Sequence, residues 1–254
     1  MNNLKVSVIT ICYNSEKTIT DTIQSVINQT YKNIEYIIVD GQSKDDTLDI
    51  INQLKTEQMT VISEKDNGLY DALNKGFKMA SGDILTCLHS DDQFSNIHTI
   101  QTIVDLFQTH QTEAIASSVY IFKDQNWQDL YRNYDATQFK NWQFKIGIQP
   151  PHPGFFVKKS VFQKVGYFNT NYKISGDFDW LIRVIKTHQT KVFYTKFVSV
   201  WMRDGGISSA SWKSKVIMNN ENLKVLKNNG VYSNLLLIYL KYFLKIFQIK
   251  WLKK

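Results

Sequence analysis

The chain has 254 residues, a net charge of +7, 43% hydrophobic residues and 21% charged residues. This composition is ordinary for a globular protein, and the length suits one α/β domain that buries a full core. Two cysteines, Cys12 and Cys87, lie in apolar runs. We therefore expect buried, reduced thiols rather than a disulfide framework or a metal site.

The positive charge is concentrated at the C-terminal end. Residues 213–254 hold nine Lys and one Glu (+8), whereas the rest of the chain holds 21 basic and 22 acidic residues (−1). A near-neutral body argues against nucleic-acid binding, because such proteins carry a basic patch on their folded face. The N-terminal residues lack the apolar stretch of a signal peptide, which predicts a cytoplasmic location.

Up to Asp92, apolar runs alternate with segments of helical periodicity. The runs VSVITIC and IEYIIV show little polar alternation, as expected of strands buried on both faces of a sheet. We predict strands at 5–12, 34–39, 60–63 and 84–88, with helices at 16–28, 44–54 and 70–79. Strands that alternate with helices predict a parallel sheet with helices on both faces.

The second half is less regular. We predict helices at 99–108, 160–165 and 178–187, and strands at 114–122, 154–157 and 191–201. The aromatic segment 124–145 is predicted to be irregular. One domain over 1–230 is expected, with a regular half at 1–92 and a less regular half at 93–212.

Polar residues follow each early strand at its carboxyl end, where open α/β sheets bind their ligands. The last of these clusters contains the adjacent carboxylates Asp91 and Asp92. Two neighbouring carboxylates repel each other at a buried strand end unless a cation is bound. Mg²⁺ or Mn²⁺ suits both carboxylates and a diphosphate. The alternative is a solvated loop in which Asp91 caps the next helix.

Several ordered motifs resemble family 2 glycosyltransferases. They are VSVITICYN at 6–14, NQTY at 28–31, EYIIVDGQSKDDT at 35–47, EKDNGLYDALNKGFKMASGD at 64–83 and LHSDD at 88–92, and the match resumes over 152–183. The resemblance implies the A-type glycosyltransferase fold, a Rossmann-like, mainly parallel sheet flanked by helices. It also implies inverting transfer of a sugar from a nucleotide-sugar, typically a UDP-sugar, with a divalent metal. Residues 1–92 would then be the nucleotide-binding half and 93–212 the acceptor-side half, and the segment 124–145 could wrap the acceptor or pack on the core as a loop.

The resemblance gives roles to the polar residues at the strand ends. Tyr13 would border the nucleotide base, Asp40 would hydrogen-bond it, and Asp66 would contact the nucleoside. Asp91 would lie near the ribose or diphosphate, and Asp92 would bind the metal, Mn²⁺ or Mg²⁺. From the residues alone, Tyr13 could equally pack at a strand end, and Asp40 could be a turn residue.

Inversion requires a general base for the acceptor hydroxyl. The segment GDFDW at 176–180 resembles the family's acidic segment at the start of a helix, with Gly176 where relatives usually have Glu. The resemblance makes Asp177 the base and leaves Asp179 as a second candidate. Asp177 could instead be a helix-start acid that the helix dipole favours.

Two histidines belong to the resembling segments. His152 aligns with a His of relatives, which implies a contact with the donor sugar or the acceptor, whereas a structural His at a rigid turn is the alternative. His89 stands where many relatives have Asn, directly before the SDD motif.

The C-terminal tail, residues 231–254, is basic and apolar. Lys241, Lys245 and Gln248 recur at helical spacing, which predicts an amphipathic helix with one polar stripe on an anionic membrane surface. The alternative is a helix docked on the body or on a second subunit.

These features predict an inverting, metal-dependent glycosyltransferase of cell-surface polysaccharide biosynthesis. Its acceptor would be a glycan or a lipid-linked sugar, and it would associate peripherally with the inner face of the plasma membrane. The alternative is an inactive nucleotide-sugar-binding partner of an assembly complex. The turn after the first strand lacks the glycines of a dinucleotide or P-loop fingerprint.

Overall fold

The computed structural model describes residues 3–123, 127–206 and 211–242. Within these ranges one sheet contains the strands β1 Val6–Cys12, β2 Ile34–Asp40, β3 Met59–Ser63, β4 Ile84–Cys87, β5 Gln93–Phe94, β6 Ala114–Phe122, β7 Leu130–Tyr134, β8 Phe155–Lys158 and β9 Val192–Arg203. The α-helices are α1 Ile19–Ile27, α2 Thr47–Gln53, α3 Leu69–Met79, α4 Thr99–His110, α5 Lys159–Val165, α6 Gly176–Ile182 and α7 Trp212–Asn228.

Shorter helical segments complete the chain. Two 3₁₀ turns cover Ala136–Gln138 and Asn141–Ile146, and α6 continues into a π-helical segment over Arg183–Thr187. Residues 235–242 are also helical. Within the described part of the chain, every helix is too short or too polar to cross a bilayer.

The sheet order is β3-β2-β1-β4-β8-β6-β9-β5, and β7 pairs with β6. The first four strands of this order, β3, β2, β1 and β4, are parallel to one another. β1 lies between β2 and β4. Every residue of β1 is buried, because helices cover both faces of the parallel strands. The predicted Rossmann-like α/β sheet is therefore confirmed.

Beyond β4 the sheet becomes mixed. β8 runs antiparallel to both β4 and β6, whereas β6 and β9 are parallel to each other. The last strand extends to Arg203 rather than ending at Trp201. This extension matters for the site, because β5 pairs with the carboxyl end of β9 and brings it beside the loop that follows β4.

Two elements differ from the sequence-based expectation. The segment 124–145 contains the strand β7, an edge strand whose side chains are mostly half-buried or exposed, so it lacks the apolar alternation that identifies a strand. Helix α7 was not predicted at all. It buries two asparagines, Asn219 and Asn222, beside Val225 and Leu226, so its buried face carries no continuous apolar stripe.

Helix α7 fixes the segment that leads into α6. The carboxylate of Glu221 accepts hydrogen bonds from the backbone N–H groups of Lys173, Ile174 and Ser175, at 2.8, 2.9 and 3.0 Å. A carboxylate that accepts several backbone N–H groups makes strong, charge-assisted hydrogen bonds. One side chain of α7 thus holds the entry to α6, which begins at Gly176.

The helical residues 235–242 do not match the predicted polar stripe. Lys241 is buried, at 2% exposure, and Ile238 is fully buried beside it. Leu236 and Leu240 are instead exposed, at 85% and 43%. The described part of the tail therefore packs on the body through the face that carries Lys241 and turns leucines outward. Lys245 and Gln248 lie outside the described residues.

Candidate active site

The polar residues predicted at the strand ends lie at the carboxyl edge of β1 to β4. The start of α6 lies beside this edge, because Tyr70 of α3 contacts Asp177 there. The charges of Asp92 and Asp177 both raise the pKa of the Cys87 thiol at the end of β4. The space between these groups is the candidate active-site cleft, although the two carboxylates are far apart in the sequence.

Tyr13 and Asp66 meet at Gly41, which follows β2. A Cβ atom at Gly41 would lie 2.5 Å from Asp66 Oδ2 and 3.5 Å from the ring of Tyr13. With any other residue at position 41, the Asp66 carboxylate would have to move away, because Cβ atoms essentially never lie within 3.0 Å of another heavy atom. The Tyr13 side chain is 56% exposed, which leaves its ring open to a planar ligand.

Asp40 lies inside the turn that follows β2. Its side chain is fully buried, and its carboxylate accepts from Ser43 N at 3.1 Å and from Ser63 Oγ at 2.6 Å, with a further bond from Ser43 Oγ. These bonds make Asp40 a residue that orders the turn after β2. A carboxylate has about four acceptor sites, so the hydrogen bond between Asp40 and a nucleobase stays a prediction.

Asp92 is a buried carboxylate with few stabilising partners. It is 1% exposed, and its Oδ1 accepts from the backbone N–H of Arg203 at 3.2 Å. Burial raises the pKa of Asp92 well above its usual value, and the neighbouring Asp91 raises it further. The backbone N–H and the guanidinium of Arg203 oppose this shift in the pKa.

The loop of Asp91 and Asp92 has the donor chemistry of a hard divalent cation. Asp91 is partly exposed, whereas Asp92 is enclosed beneath it. Oxygen ligands of this kind suit Mg²⁺ and Mn²⁺. A cation here would offset both the burial of Asp92 and the repulsion between the two carboxylates. The residues therefore fit the metal that the motif predicts.

Asp177 lies at the start of α6 and is half-buried. Its Oδ2 accepts from Gln149 Nε2 at 2.6 Å, and its Oδ1 lies 3.1 Å from the hydroxyl of Tyr70. The same hydroxyl lies 2.5 Å from the carbonyl oxygen of Ile174. A phenol has one proton, so at any moment Tyr70 donates it either to Asp177 Oδ1 or to the Ile174 carbonyl oxygen.

Gly176 explains how Tyr70 reaches this position. A Cβ atom at Gly176 would lie 2.7–2.8 Å from three carbons of the Tyr70 ring. The ring is buried, and burial raises the pKa of Tyr70 well above its usual value, with the negative charge of Asp177 acting in the same direction. The missing side chain at Gly176 therefore makes room for a tyrosine that contacts Asp177.

Asp179 lies two residues further along α6 and faces the protein interior. Its Oδ2 pairs with Arg183 Nε at 2.9 Å, and its Oδ1 accepts from Asn229 Nδ2 at 3.1 Å. At 5% exposure it has no access to the cleft. The structure thus does not place Asp179 where the second candidate for the base would need to lie.

His152 is buried, at 8% exposure, between Cys87, His89 and Phe168. Burial lowers the pKa of His152 to about 4, His89 lowers it further, and Asp177 opposes the shift. The imidazole is therefore neutral at pH 7. Burial also raises the pKa of the Cys87 thiol to about 12, and the charges of Asp92 and Asp177 add to this effect.

Tyr70, Gln149 and Arg203 contact the predicted acids but were not predicted themselves. Tyr70 lies inside one of the resembling motifs, where the helical pattern explains it as a core residue. The one available signal was Gly176, because a glycine in place of an acidic residue leaves space that another side chain must fill.

A parallel sheet with carboxylates at its carboxyl edge, and a further acid at a helix start across the cleft, defines a transferase of the A-type glycosyltransferase class. The family profile "Glycosyl transferase family 2" matches residues 7–166. The chain belongs to this family, and it is a glycosyltransferase.

Three known proteins illustrate the relationship. An uncharacterized glycosyltransferase of Mycobacterium tuberculosis, Rv1514c, is 32% identical over 180 residues, which are 70% of this chain and 68% of the relative. The UDP-Glc:alpha-D-GlcNAc-diphosphoundecaprenol beta-1,3-glucosyltransferase WfaP of Escherichia coli is 28% identical over 244 residues, 94% of this chain and 92% of the relative.

The third is a solved structure of the mannosyltransferase PcManGT from Pyrobaculum calidifontis in complex with GDP-Man and Mn²⁺. It superposes with a TM-score of 0.62 at 17% identity and covers 87% of this chain and 62% of that one. At this identity the likeness supports the fold alone.

Proposed function

We propose that this glycosyltransferase moves a sugar from a UDP-sugar to a hydroxyl of a glycan or lipid-linked acceptor, with inversion at the anomeric carbon. One observation carries the proposal. Asp177 is half-buried, is held by Tyr70 and Gln149, and borders the same cleft as the buried Asp92. An inverting transfer needs one base on the side of the sugar opposite the leaving diphosphate, and Asp177 is the acid available for it.

The donor side of the cleft would bind the nucleoside. Tyr13 offers an exposed ring, and Asp66 offers a carboxylate beside it across Gly41. Asp40 would act through the turn that it orders. WfaP, which matches 94% of this chain, is named for UDP-Glc as its donor. This supports uridine as the base and a cell-surface glycan as the product class.

Asp91 and Asp92 would hold Mn²⁺ or Mg²⁺. Such a cation, when bound, neutralises the leaving nucleoside diphosphate. The proposal rests on the enclosed Asp92 carboxylate beside a second carboxylate. The complex of PcManGT with Mn²⁺ supports the choice of ion. The backbone N–H of Arg203 would orient Asp92 Oδ1, since it donates to that oxygen.

Asp177 would take the proton of the acceptor hydroxyl as the hydroxyl oxygen forms its bond to the anomeric carbon and the bond to the diphosphate oxygen breaks. Gln149 and Tyr70 each contact one oxygen of the Asp177 carboxylate, which would restrain the orientation of the base. His152, neutral and buried near Asp177, would border the sugar or the acceptor.

The test is nucleotide release from a panel of UDP-, GDP- and dTDP-sugars, with Mn²⁺, Mg²⁺ or EDTA. The wild type is compared with Asp92→Asn, Asp177→Asn and Asp179→Asn. We expect turnover of one UDP-sugar that is lost with EDTA, with Asp92→Asn and with Asp177→Asn. Asp179→Asn should keep turning over, since its carboxylate faces the interior.

Two outcomes would contradict the proposal. Full activity of Asp177→Asn would remove the proposed base, and full activity in EDTA would remove the metal. Binding of a UDP-sugar without turnover, with and without candidate acceptors, would instead favour a partner protein that binds the donor only.

We also propose that residues 235–242 contact an anionic membrane, on the inner face of the plasma membrane. The exposed side chains there are apolar (Leu235, Leu236, Tyr239 and Leu240), and residues 213–254 hold nine Lys against one Glu. Apolar side chains flanked by lysines suit an anionic lipid surface. A lipid-linked acceptor would lie at that surface.

Co-sedimentation with liposomes that contain anionic lipid tests this proposal. Leu236→Glu with Leu240→Glu should reduce binding by at least about 10-fold, because two apolar contacts become charged. Ile97→Glu, at a residue that is 50% exposed elsewhere, is the matched control and should bind as the wild type does. Equal binding of all three proteins would exclude residues 235–242 as the membrane contact.

A further inference from the structure

Three residues with nitrogen or sulfur ligands meet at the floor of the cleft. Cys87 ends β4, His89 follows two residues later, and His152 precedes β8. One ligand atom of each residue lies within 4.8 Å of a ligand atom of the other two. Among the described residues, these three form the one group of His, Cys, Asp or Glu side chains close enough to share a metal ion. Their proximity arises because β8 lies beside β4 in the sheet.

One distance in the cluster is close to that of a tetrahedral zinc site. Cys87 Sγ lies 3.7 Å from His152 Nδ1 and 4.0 Å from its Nε2. Zinc bonds of about 2.3 Å to sulfur and about 2.0–2.1 Å to nitrogen, at the tetrahedral angle, place two such ligands about 3.6 Å apart. The thiol faces both ring nitrogens, so the His152 ring must turn to direct one nitrogen at a shared ion, and the partly exposed His89 must close the remaining gap, which is at most 4.8 Å.

The ligand set selects a different ion from that of the acidic pair. A thiolate with two imidazoles suits Zn²⁺, whereas Mg²⁺ and Mn²⁺ prefer carboxylate and phosphate oxygens. The cleft therefore contains two donor sets of different chemistry, the carboxylates of Asp91 and Asp92 and the Cys–His–His cluster. Cys87 is close enough to Asp92 to feel its charge, so the two sets are neighbours.

We propose that Cys87, His89 and His152 form a second metal site, selective for Zn²⁺ and distinct from the site at Asp92. The thiol releases its proton to solvent as the zinc–sulfur bond forms. Three protein ligands leave a fourth position for water or another ligand, as in zinc sites that are not purely structural. The bound ion would link the end of β4 to the segment before β8 and would bring positive charge close to Asp177.

Co²⁺ serves as the probe, because a cobalt–thiolate bond gives a charge-transfer absorption and tetrahedral Co²⁺ gives intense visible bands. The full chain is titrated with CoCl₂, and the cobalt is then displaced with Zn²⁺. We expect one equivalent of Co²⁺ with both signals, both abolished by Zn²⁺. The signals should persist in Asp92→Asn, which removes the other metal ligand.

Variants at the two cysteines give the matched comparison. Cys12→Ser removes a buried thiol outside the cluster and should leave the cobalt signals intact, whereas Cys87→Ser should abolish the charge-transfer band. His89→Asn, at a partly exposed position, should weaken Co²⁺ binding by at least about 10-fold. This variant also keeps the test decisive if Cys87→Ser fails to fold.

The proposal is overturned if the folded wild type shows no thiolate–cobalt band with excess Co²⁺. It is equally overturned if the band survives in folded Cys87→Ser, or if His89→Asn binds Co²⁺ as tightly as the wild type. Loss of the band in Asp92→Asn would mean that cobalt bridges to the acidic pair, and no separate site would exist.

Discussion

The two ends of the cleft hold their carboxylates in different ways. At the donor end, Asp92 is enclosed beside a second carboxylate, and a backbone N–H and a nearby guanidinium only partly offset the cost. At the acceptor end, Asp177 is half-buried and contacts two neutral groups, the amide of Gln149 and the hydroxyl of Tyr70.

The difference in surroundings agrees with the two proposed roles, a cation ligand at Asp92 and a proton acceptor at Asp177. An enclosed carboxylate pair gains most from a bound divalent ion. A carboxylate with neutral partners and partial access to solvent can gain or lose a proton, and no partner is then left as an unpaired buried charge.

The strongest test is Asp92→Asn, which keeps the shape of the side chain. We expect kcat to fall by at least about 1000-fold, because the charge that would face the leaving diphosphate is lost. The free energy of unfolding in EDTA should rise by about 1–2 kcal/mol, because the buried repulsion with Asp91 disappears. Urea titration with EDTA measures this change, and Asp105→Asn on α4 is the control. A loss of stability would contradict the picture of a strained acidic pair.

The second test compares two acids on one helix. Asp177→Asn should lower kcat by about 100- to 1000-fold with little effect on folding, because it removes the base. Asp179→Asn should keep most activity and lower the free energy of unfolding by about 1–2 kcal/mol, because the partly buried Arg183 loses its charged partner. Steady-state kinetics and urea titration on both variants decide the assignment. Exchanged phenotypes would make Asp179 the base.

The third test concerns the partner of Asp177. Tyr70→Phe should lower kcat by about 5- to 10-fold with little change in KM, because the hydroxyl only orients the base. Gly176→Ala should have a similar effect, because the new methyl group displaces the ring. The double variant should be no worse than the poorer single variant, since both act on one contact. Tyr31→Phe, far from the cleft, is the control, and additive losses would argue against a shared mechanism.

The smallest effect is expected at a carboxylate that is fully paired. Burial alone would raise the pKa of Glu35, but hydrogen bonds from Ser7, Ser81 and Lys5 outweigh it and lower the pKa to about 2. A lowered pKa stabilises the fold above the unfolded value of 4.5 and loses this contribution as the pH falls from 4.5 to 2.

Glu35→Gln should therefore remove about 1–2 kcal/mol of that pH dependence, a value reduced for partial exposure of the pair. Urea titrations between pH 2 and pH 6 measure it. Transfer activity at pH 7 should not change, because Glu35 lies at the opposite end of the sheet from the cleft. An unchanged pH dependence would show that Glu35 is not the group that titrates.

The sequence predicts the parallel half of the fold well, because each strand there is a continuous apolar run and each helix has a clear apolar face. β1 and β2 are buried along almost their whole length, which matches the prediction. Hydrophobic patterns do not identify an element whose buried side chains are polar. Helix α7 packs through Asn219 and Asn222, and the tail packs through Lys241.

The residues of the candidate site are likewise predicted in part, and their contacts are not. Motifs place the acids at strand and helix ends, and the structure gathers Asp92 and Asp177 around one cleft. Which partner each acid has is decided by contacts between distant segments. Tyr70 and Asp177 are 107 residues apart in the chain, and nothing in the local pattern around either residue specifies their contact. The hydrogen bond from Ser63 to the buried Asp40, 23 residues away, is likewise a tertiary contact.

Glu221 extends the folded domain beyond the part that the family profile matches. The profile ends at residue 166, and the motifs described above are complete by Arg183. A chain shortened to about residue 210 would keep all of those motifs. It would lose the carboxylate that accepts from three backbone N–H groups at 173–175. We therefore expect such a chain to lose the fixed start of α6, where Asp177 lies, although every motif is still present.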